Sequence, residues 1–294
     1  MARYIQNIGA LCDQYDYFII DIFGVIHDGI KPFPETLKTL QALKISGKTL
    51  CLLSNSPRRA HNAAAQMQEM GIARDLYDHI VTSGEHTHEY LREIFSTPPH
   101  SSPSRGQDGF EKVRWEGNRC WVIGHYYIRE VIEGLDLDLK DSPQNADFIL
   151  NAIPGTSPPE VAAFKDNLKI ALEKNLPMIC ANPDLVVHVG DTLYECAGTF
   201  AAMYEDMGGR VIYHGKPHAP VYERCYELLG QPDKSRICAI GDSLHTDIAG
   251  ANNFGIDSIL NLSGIHREEL TPEALEGLND QPHRPTYAVN GFVW

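Results

Sequence analysis

Two apolar runs, each closed by an acid, limit what this chain can become. Tyr17-Phe18-Ile19-Ile20 runs into Asp21, and Ile237-Cys238-Ala239-Ile240-Gly241 runs into Asp242. A short run that is apolar at successive positions is the pattern of a strand covered on both faces, and such strands build parallel sheets. In an open α/β sheet, a carboxylate at the C-terminal end of a strand points into the crevice where ligands bind. Taken alone, Asp21 serves equally well as a cap for its own loop, so the rest of the chain has to decide.

Strand and helix patterns alternate almost throughout. Pro34-Glu35-Thr36 opens a helix whose stripe is Leu37, Leu40 and Leu43, and Gly47 stops it. Leu50–Leu53 reads as a strand, and Ser56 with Pro57 reads as the N-cap and first residue of the Ala-rich helix that ends at Gly71. Further strands are expected at His79–Ser83, Cys120–Gly124, Phe148–Leu150, Met178–Ala181, Val211–Tyr213 and Ile256–Leu262, with a helix over Pro158–Asn175. Residues 96–118 are polar and Pro/Ser-rich and read as a mobile inserted loop. Repeated βα units predict an α/β fold with a parallel sheet between helices. At 294 residues, one large domain or two modest ones are expected.

A formal net charge of -14 argues against nucleic acid and anionic membranes as main partners. It leaves room for an anionic substrate, because one Lys or a bound metal inverts the field locally. The seven cysteines are widely spaced, without a C-x-x-C pair, and several sit in apolar runs. They read as buried thiols in a reducing compartment. No apolar signal core and no long apolar run is visible, so a cytoplasmic location is expected.

Four segments fall at strand ends: Asp21; Ser54-Asn55; Gly215-Lys216-Pro217; and Gly241-Asp242-Ser243-Leu244-His245-Thr246-Asp247. Carboxylates with one Lys, a hydroxyl and an amide suit phosphoryl transfer. Asp21, Asp242 and Asp247 offer the hard oxygens Mg²⁺ prefers, Lys216 neutralises a phosphoryl group, and one carboxylate can attack phosphorus.

In this order the segments resemble the four motifs of the haloacid dehalogenase-like (HAD) hydrolases. Asp-x-x-Gly-Val-Ile, Leu-Ser-Asn, Gly-Lys-Pro and Gly-Asp-Ser-x-x-Thr-Asp-Ile are similar to the class IIA branch, which includes sugar-phosphate, nitrophenyl-phosphate and pyridoxal-phosphate phosphatases. Ala181-Asn182-Pro183-Asp184 resembles a further signature of that branch. The resemblance implies a Rossmann-like three-layer core (1–84 and 211–294) carrying an inserted α/β cap of the C2 type (85–210). It implies a Mg²⁺-dependent phosphatase that acts on a small phosphorylated metabolite through an aspartyl phosphate on Asp21. Mg²⁺ would be held by Asp21, the carbonyl of Phe23, Asp242 and Asp247. Ser54, Asn55 and Lys216 would bind the phosphoryl group, with Ser54 and Lys216 also counted as catalytic. Asn182 and Asp184 would help bind the substrate. Caps of this kind often pair, so a homodimer is also expected.

One position departs from the family. Its phosphatases usually carry a second Asp two residues after the nucleophile, as general acid and base; here that residue is Phe23. Such a group typically contributes about 10²–10⁴-fold. His27 and Asp28 lie close enough to be considered as substitutes, although both also suit a loop leaving the strand. The departure keeps two alternatives open: a HAD-like protein that binds a phosphometabolite or a partner without turning it over, and a dehalogenase-type hydrolase.

Overall fold

A computed structural model of the chain describes residues 2–95, 117–124, 128–153, 158–189, 192–263 and 282–294. All but the last two residues of the Pro/Ser-rich stretch 96–118 lie outside them. The chain begins with β1 (Arg3–Ile5), β2 (Tyr17–Asp21), α1 (Thr36–Ile45), β3 (Thr49–Ser54), α2 (Ala60–Glu69), β4 (His79–Thr82) and α3 (Ser83–Phe95). Next come β5 (Arg119–Ile123), α4 (Ile128–Val131), β6 (Asp138–Lys140), β7 (Phe148–Asn151), α5 (Pro158–Glu173) and β8 (Met178–Cys180). Then follow β9 (Val186–Val189), β10 (Thr192–Glu195), α6 (Ala197–Asp206), β11 (Val211–Tyr213), α7 (Ala219–Leu228) and β12 (Ile237–Gly241). The last elements are α8 (Ala249–Phe254), β13 (Asp257–Asn261) and β14 (Tyr287–Val289).

These elements form two compact units. The first comprises Met1–Ser54, His61–Val81 and Lys216–Trp294; the second comprises Asn55–Ala60 and Thr82–Gly215.

The first unit is built on a seven-stranded sheet in the order β1-β14-β13-β12-β2-β3-β4, and the pairings from β1 through β3 are parallel. Both faces are covered, which is why its strands are apolar throughout. Phe18 and Ile20 of β2, with Leu50 and Leu52 of β3, pack on one side with Leu40, Leu43 and Met67. Ile19, Cys51, Leu53 and Ala239 face the other side, where Val221, Tyr222, Ala251 and Phe254 meet them. The chain runs outward from β2 to β3 and β4, then outward the other way from β12 to β13 and β14. The order therefore reverses between β2 and β12, the switch point at which such sheets open a crevice. Asp21 ends β2 and Asp242 follows β12 at that point.

The second unit has a five-stranded parallel sheet, β11-β8-β7-β5-β6, and a separate antiparallel hairpin of β9 and β10. The same two-sided burial recurs. Trp121, Ile149 and Met178 pack with Leu168, Phe200 and Tyr204, while Cys120, Phe148, Leu150 and Ile179 pack with Leu91.

The observed elements correct the sequence reading in two ways. Strands β1, β6, β9, β10 and β14 are additional to it. They are three or four residues long, too short for a periodic pattern to stand out. The Ala-rich helix starts at Ala60, and neither Ser56 nor Pro57 begins it. Its cap comes from far along the chain: the carboxylate of Glu85 accepts from Ala60 N at 3.0 Å and pairs bidentately with Arg59, through Nε at 2.8 Å and Nη2 at 2.9 Å. Burial alone would raise the Glu85 carboxyl, but Arg59 and the Ala60 N–H outweigh it and hold the group below its ordinary value.

A depressed carboxyl contributes stability above its unfolded value, near pH 4.3, and loses it as pH falls through the folded one. Glu85→Gln is therefore expected to cost about 2 kcal/mol at pH 7, the scale of charge-assisted hydrogen bonds. In urea unfolding, the gap between variant and wild type should close as pH drops below about 4.

Candidate active site

Strand ends, one turn and the approach to a helix set the polar residues of the first unit's crevice. Asp21 is the last residue of β2. Its register partner on β3 is Leu53, so Ser54 stands one step beyond. Asp242 follows Gly241 of β12. Asp247 is brought back by a π-helical turn over Leu244–Ile248 that runs into α8. Lys216 precedes α7. All five side chains are buried.

Lys216 Nζ donates to Asp21 Oδ1 and, at 2.7 Å, to Asp247 Oδ1. Asp247 Oδ2 accepts from Ser243 N at 3.2 Å. Asp21, Asp242 and Asp247 each offer an oxygen within 4.8 Å of the others. Two glycines make room for the cluster. Gly24 has φ +92, and a Cβ there would land on the Asp242 carboxylate. A Cβ on Gly241 would land on that of Asp247. Asn261, at the end of β13, donates from Nδ2 to Gly24 O at 3.2 Å and holds the glycine turn in place.

Three buried carboxyl groups share one ammonium. Burial is the largest force pushing the Asp21 carboxyl well above its ordinary value; Lys216 opposes it, and Asp247 and Asp242 add to it. Burial pulls the Lys216 ammonium down, but Asp21 and Asp247 more than offset this and keep it protonated. The surplus negative charge is of the kind that a divalent cation relieves, and carboxylate oxygens are the donors a hard cation takes. Among the described residues, these three acids are the group able to hold one.

Residues 18–138 match the family described as haloacid dehalogenase-like hydrolase, and residues 213–293 match the HAD-hydrolase-like family. A solved HAD-like hydrolase from Brucella suis is 30% identical, with a TM-score of 0.79, over 98% of this chain and all of its own. The chain belongs to the haloacid dehalogenase-like hydrolases. The 4-nitrophenylphosphatase of Schizosaccharomyces pombe is 26% identical over 96% of this chain and 93% of its own. The 5'-nucleotidase YutF of Bacillus subtilis is 23% identical over 95% and 96% respectively. The class IIA likeness and the α/β fold expected from the motifs are borne out.

Asn55, Asn182 and Asp184, expected site residues of this hydrolase, lie in its second unit. Asn55 donates from Nδ2 to Asp184 Oδ1 at 2.7 Å, and its Oδ1 accepts from Ser83 Oγ at 3.4 Å. Asn182 Oδ1 accepts from Asp184 N at 3.1 Å, closing a tight turn across Pro183. Asn182 and Asp184 thus have structural partners of their own. Asn55 does not sit beside a helix start, because α2 begins only at Ala60.

His27 and Asp28 are both engaged in the loop after β2. His27 Nδ1 accepts from Gly29 N at 3.0 Å, and burial lowers its basicity. Asp28 Oδ1 accepts from Ile30 N at 2.9 Å and Lys31 N at 2.8 Å. Phe23 is half-buried, its ring edge-on to His27 at 6.2 Å. Among the described residues, six cysteines are buried and Cys12 is half-buried, all as free thiols. No described helix is long and apolar enough to cross a membrane.

Sequence reasoning missed Asn261. Its signal was present, because Ile259-Leu260-Asn261 is another apolar run closed by a polar residue.

Gly24→Ala should destabilise the fold by about 2 kcal/mol or more, combining left-handed backbone strain with the clash on Asp242. In a double-mutant cycle read by urea unfolding, Asp242→Ala should recover part of that loss, since the two residues are in contact.

Proposed function

We propose that this hydrolase is a Mg²⁺-dependent phosphatase acting on a small phosphorylated metabolite through an aspartyl phosphate on Asp21. The observation that carries the reading is the buried cluster of Asp21, Asp242 and Asp247 around Lys216, at the C-terminal ends of β2 and β12. Its donor set fits Mg²⁺, with Asp21, Asp242, Asp247 and the carbonyl of Phe23 as the groups that would hold it. When bound, the ion supplies positive charge to the transferring group.

Asp21 attacks phosphorus, and water later releases phosphate from it. Lys216 orients the Asp21 carboxylate and offsets charge on the phosphoryl oxygens. Ser54 is the hydroxyl donor to those oxygens, supported by Asn55. Asn182 and Asp184 support the choice of substrate. The relatives named 5'-nucleotidase and 4-nitrophenylphosphatase, matched over nearly their whole length, favour the same chemistry. Phe23 favours a second reading, a protein that binds a phosphometabolite and leaves it intact. The paired acids after β12 speak for a metal site and against a dehalogenase.

The test is phosphate release from a panel of small phosphomonoesters, with Mg²⁺ and with EDTA. Release is expected only with metal, and Asp21→Asn should lower it at least 10³-fold while circular dichroism stays unchanged. Release that is indifferent to EDTA, or full activity in Asp21→Asn, would overturn the reading. A phosphorylated ligand that binds tightly and survives intact would establish the second one.

A further inference from the structure

Between Asp21 and Gly29 the chain reads Ile22-Phe23-Gly24-Val25-Ile26-His27-Asp28, and only His27 and Asp28 can carry a proton on the side chain. Both hold their own loop. The lone pair of His27 Nδ1 is taken by Gly29 N, and its ring is buried. Asp28 accepts two backbone N–H groups of its own turn and is exposed. The Phe23 ring is packed in place: it stands edge-on to His27, and a Cβ on Gly29 would lie 3.0 Å from its Cε2. The position two residues beyond Asp21 is thus filled by a built-in apolar side chain.

We propose that this hydrolase is selective for phosphoryl donors whose leaving group departs as a stable anion: aryl or enol phosphates and acyl phosphates, in preference to alkyl and sugar phosphates. The inference rests on the phosphatase reading above and deepens it. In the first step, an Asp21 oxygen forms a bond to phosphorus while the bond from phosphorus to the leaving oxygen breaks. The electron pair goes with that oxygen. Phe23 has no proton to give it, so it leaves as an oxyanion. A phenolate, enolate or carboxylate bears that charge readily, whereas an alkoxide needs a proton during the step. In the second step, water attacks phosphorus, the Asp21 carboxylate leaves with its electron pair, and a proton passes to solvent. A donor with a stable anionic leaving group lacks only the step that Phe23 cannot assist.

The experiment measures kcat/KM with Mg²⁺ for 4-nitrophenyl phosphate, phenyl phosphate, acetyl phosphate and an alkyl phosphate, on wild type and Phe23→Asp. This ratio covers the steps up to the first irreversible one, so a slow second step does not mask the leaving group. For wild type, kcat/KM should fall steeply as the leaving group becomes more basic, with alkyl phosphate at least about 10²-fold below 4-nitrophenyl phosphate. Phe23→Asp should flatten the series by raising the alkyl substrate about 10²–10⁴-fold, the usual contribution of a general acid. If Phe23→Asp does not fold, the wild-type series decides alone. A shallow wild-type series, with alkyl and aryl phosphates turned over alike, would overturn the inference and leave the phosphatase reading intact. Absence of metal-dependent release from every donor would overturn both.

Discussion

One ammonium shared among three buried carboxyl groups is the constraint around which the first unit is organised. Burying charge is costly unless it is paired, and Lys216 pairs with Asp21 and Asp247. The arrangement is held by the fold. β2 and β12 deliver Asp21 and Asp242, a π-helical turn returns Asp247, and Gly24 and Gly241 leave the space their side chains would have taken. Each part is rigid because the strands beneath are covered on both faces, so a carboxylate at their ends inherits the order of the core.

Much of this was legible in the sequence, because the same physics writes both. A strand buried on two faces has to be apolar at every position, so Tyr17-Phe18-Ile19-Ile20 and Ile237-Cys238-Ala239-Ile240 announced themselves, and the acids that closed them stood out. Asp247 was legible through its spacing from Asp242. What stayed hidden depended on partners far apart in sequence. The start of α2 is set by Glu85, and no local pattern around Ser56 and Pro57 contains that information. Asn261 matters through Gly24, on another strand. The hairpin of β9 and β10 and the edge strands β1 and β14 are too short for periodicity to show.

Phe23 is a different kind of case. Its place in the chain was plain, and its consequence was not, since an aromatic residue after a strand is usually packing. The nearby candidates, His27 through Nδ1 and Asp28 through Oδ1, hold their own loop. A buried anionic cluster forms at the ends of β2 and β12, and an apolar side chain stands two residues beyond Asp21.

The order of strands also bears on how the chain is made. β2 sits inside the sheet, yet its two neighbours arrive at very different times. β3 is synthesised soon after it, but β12, whose Cys238 lies opposite Phe18, follows only after the whole five-stranded sheet of the second unit. Until then β2 has a bare, apolar edge in the nascent polypeptide, of the kind that pairs with the wrong partner. That edge closes only when β12 arrives to pair with it, so the hazard lasts for as long as the second unit is being made.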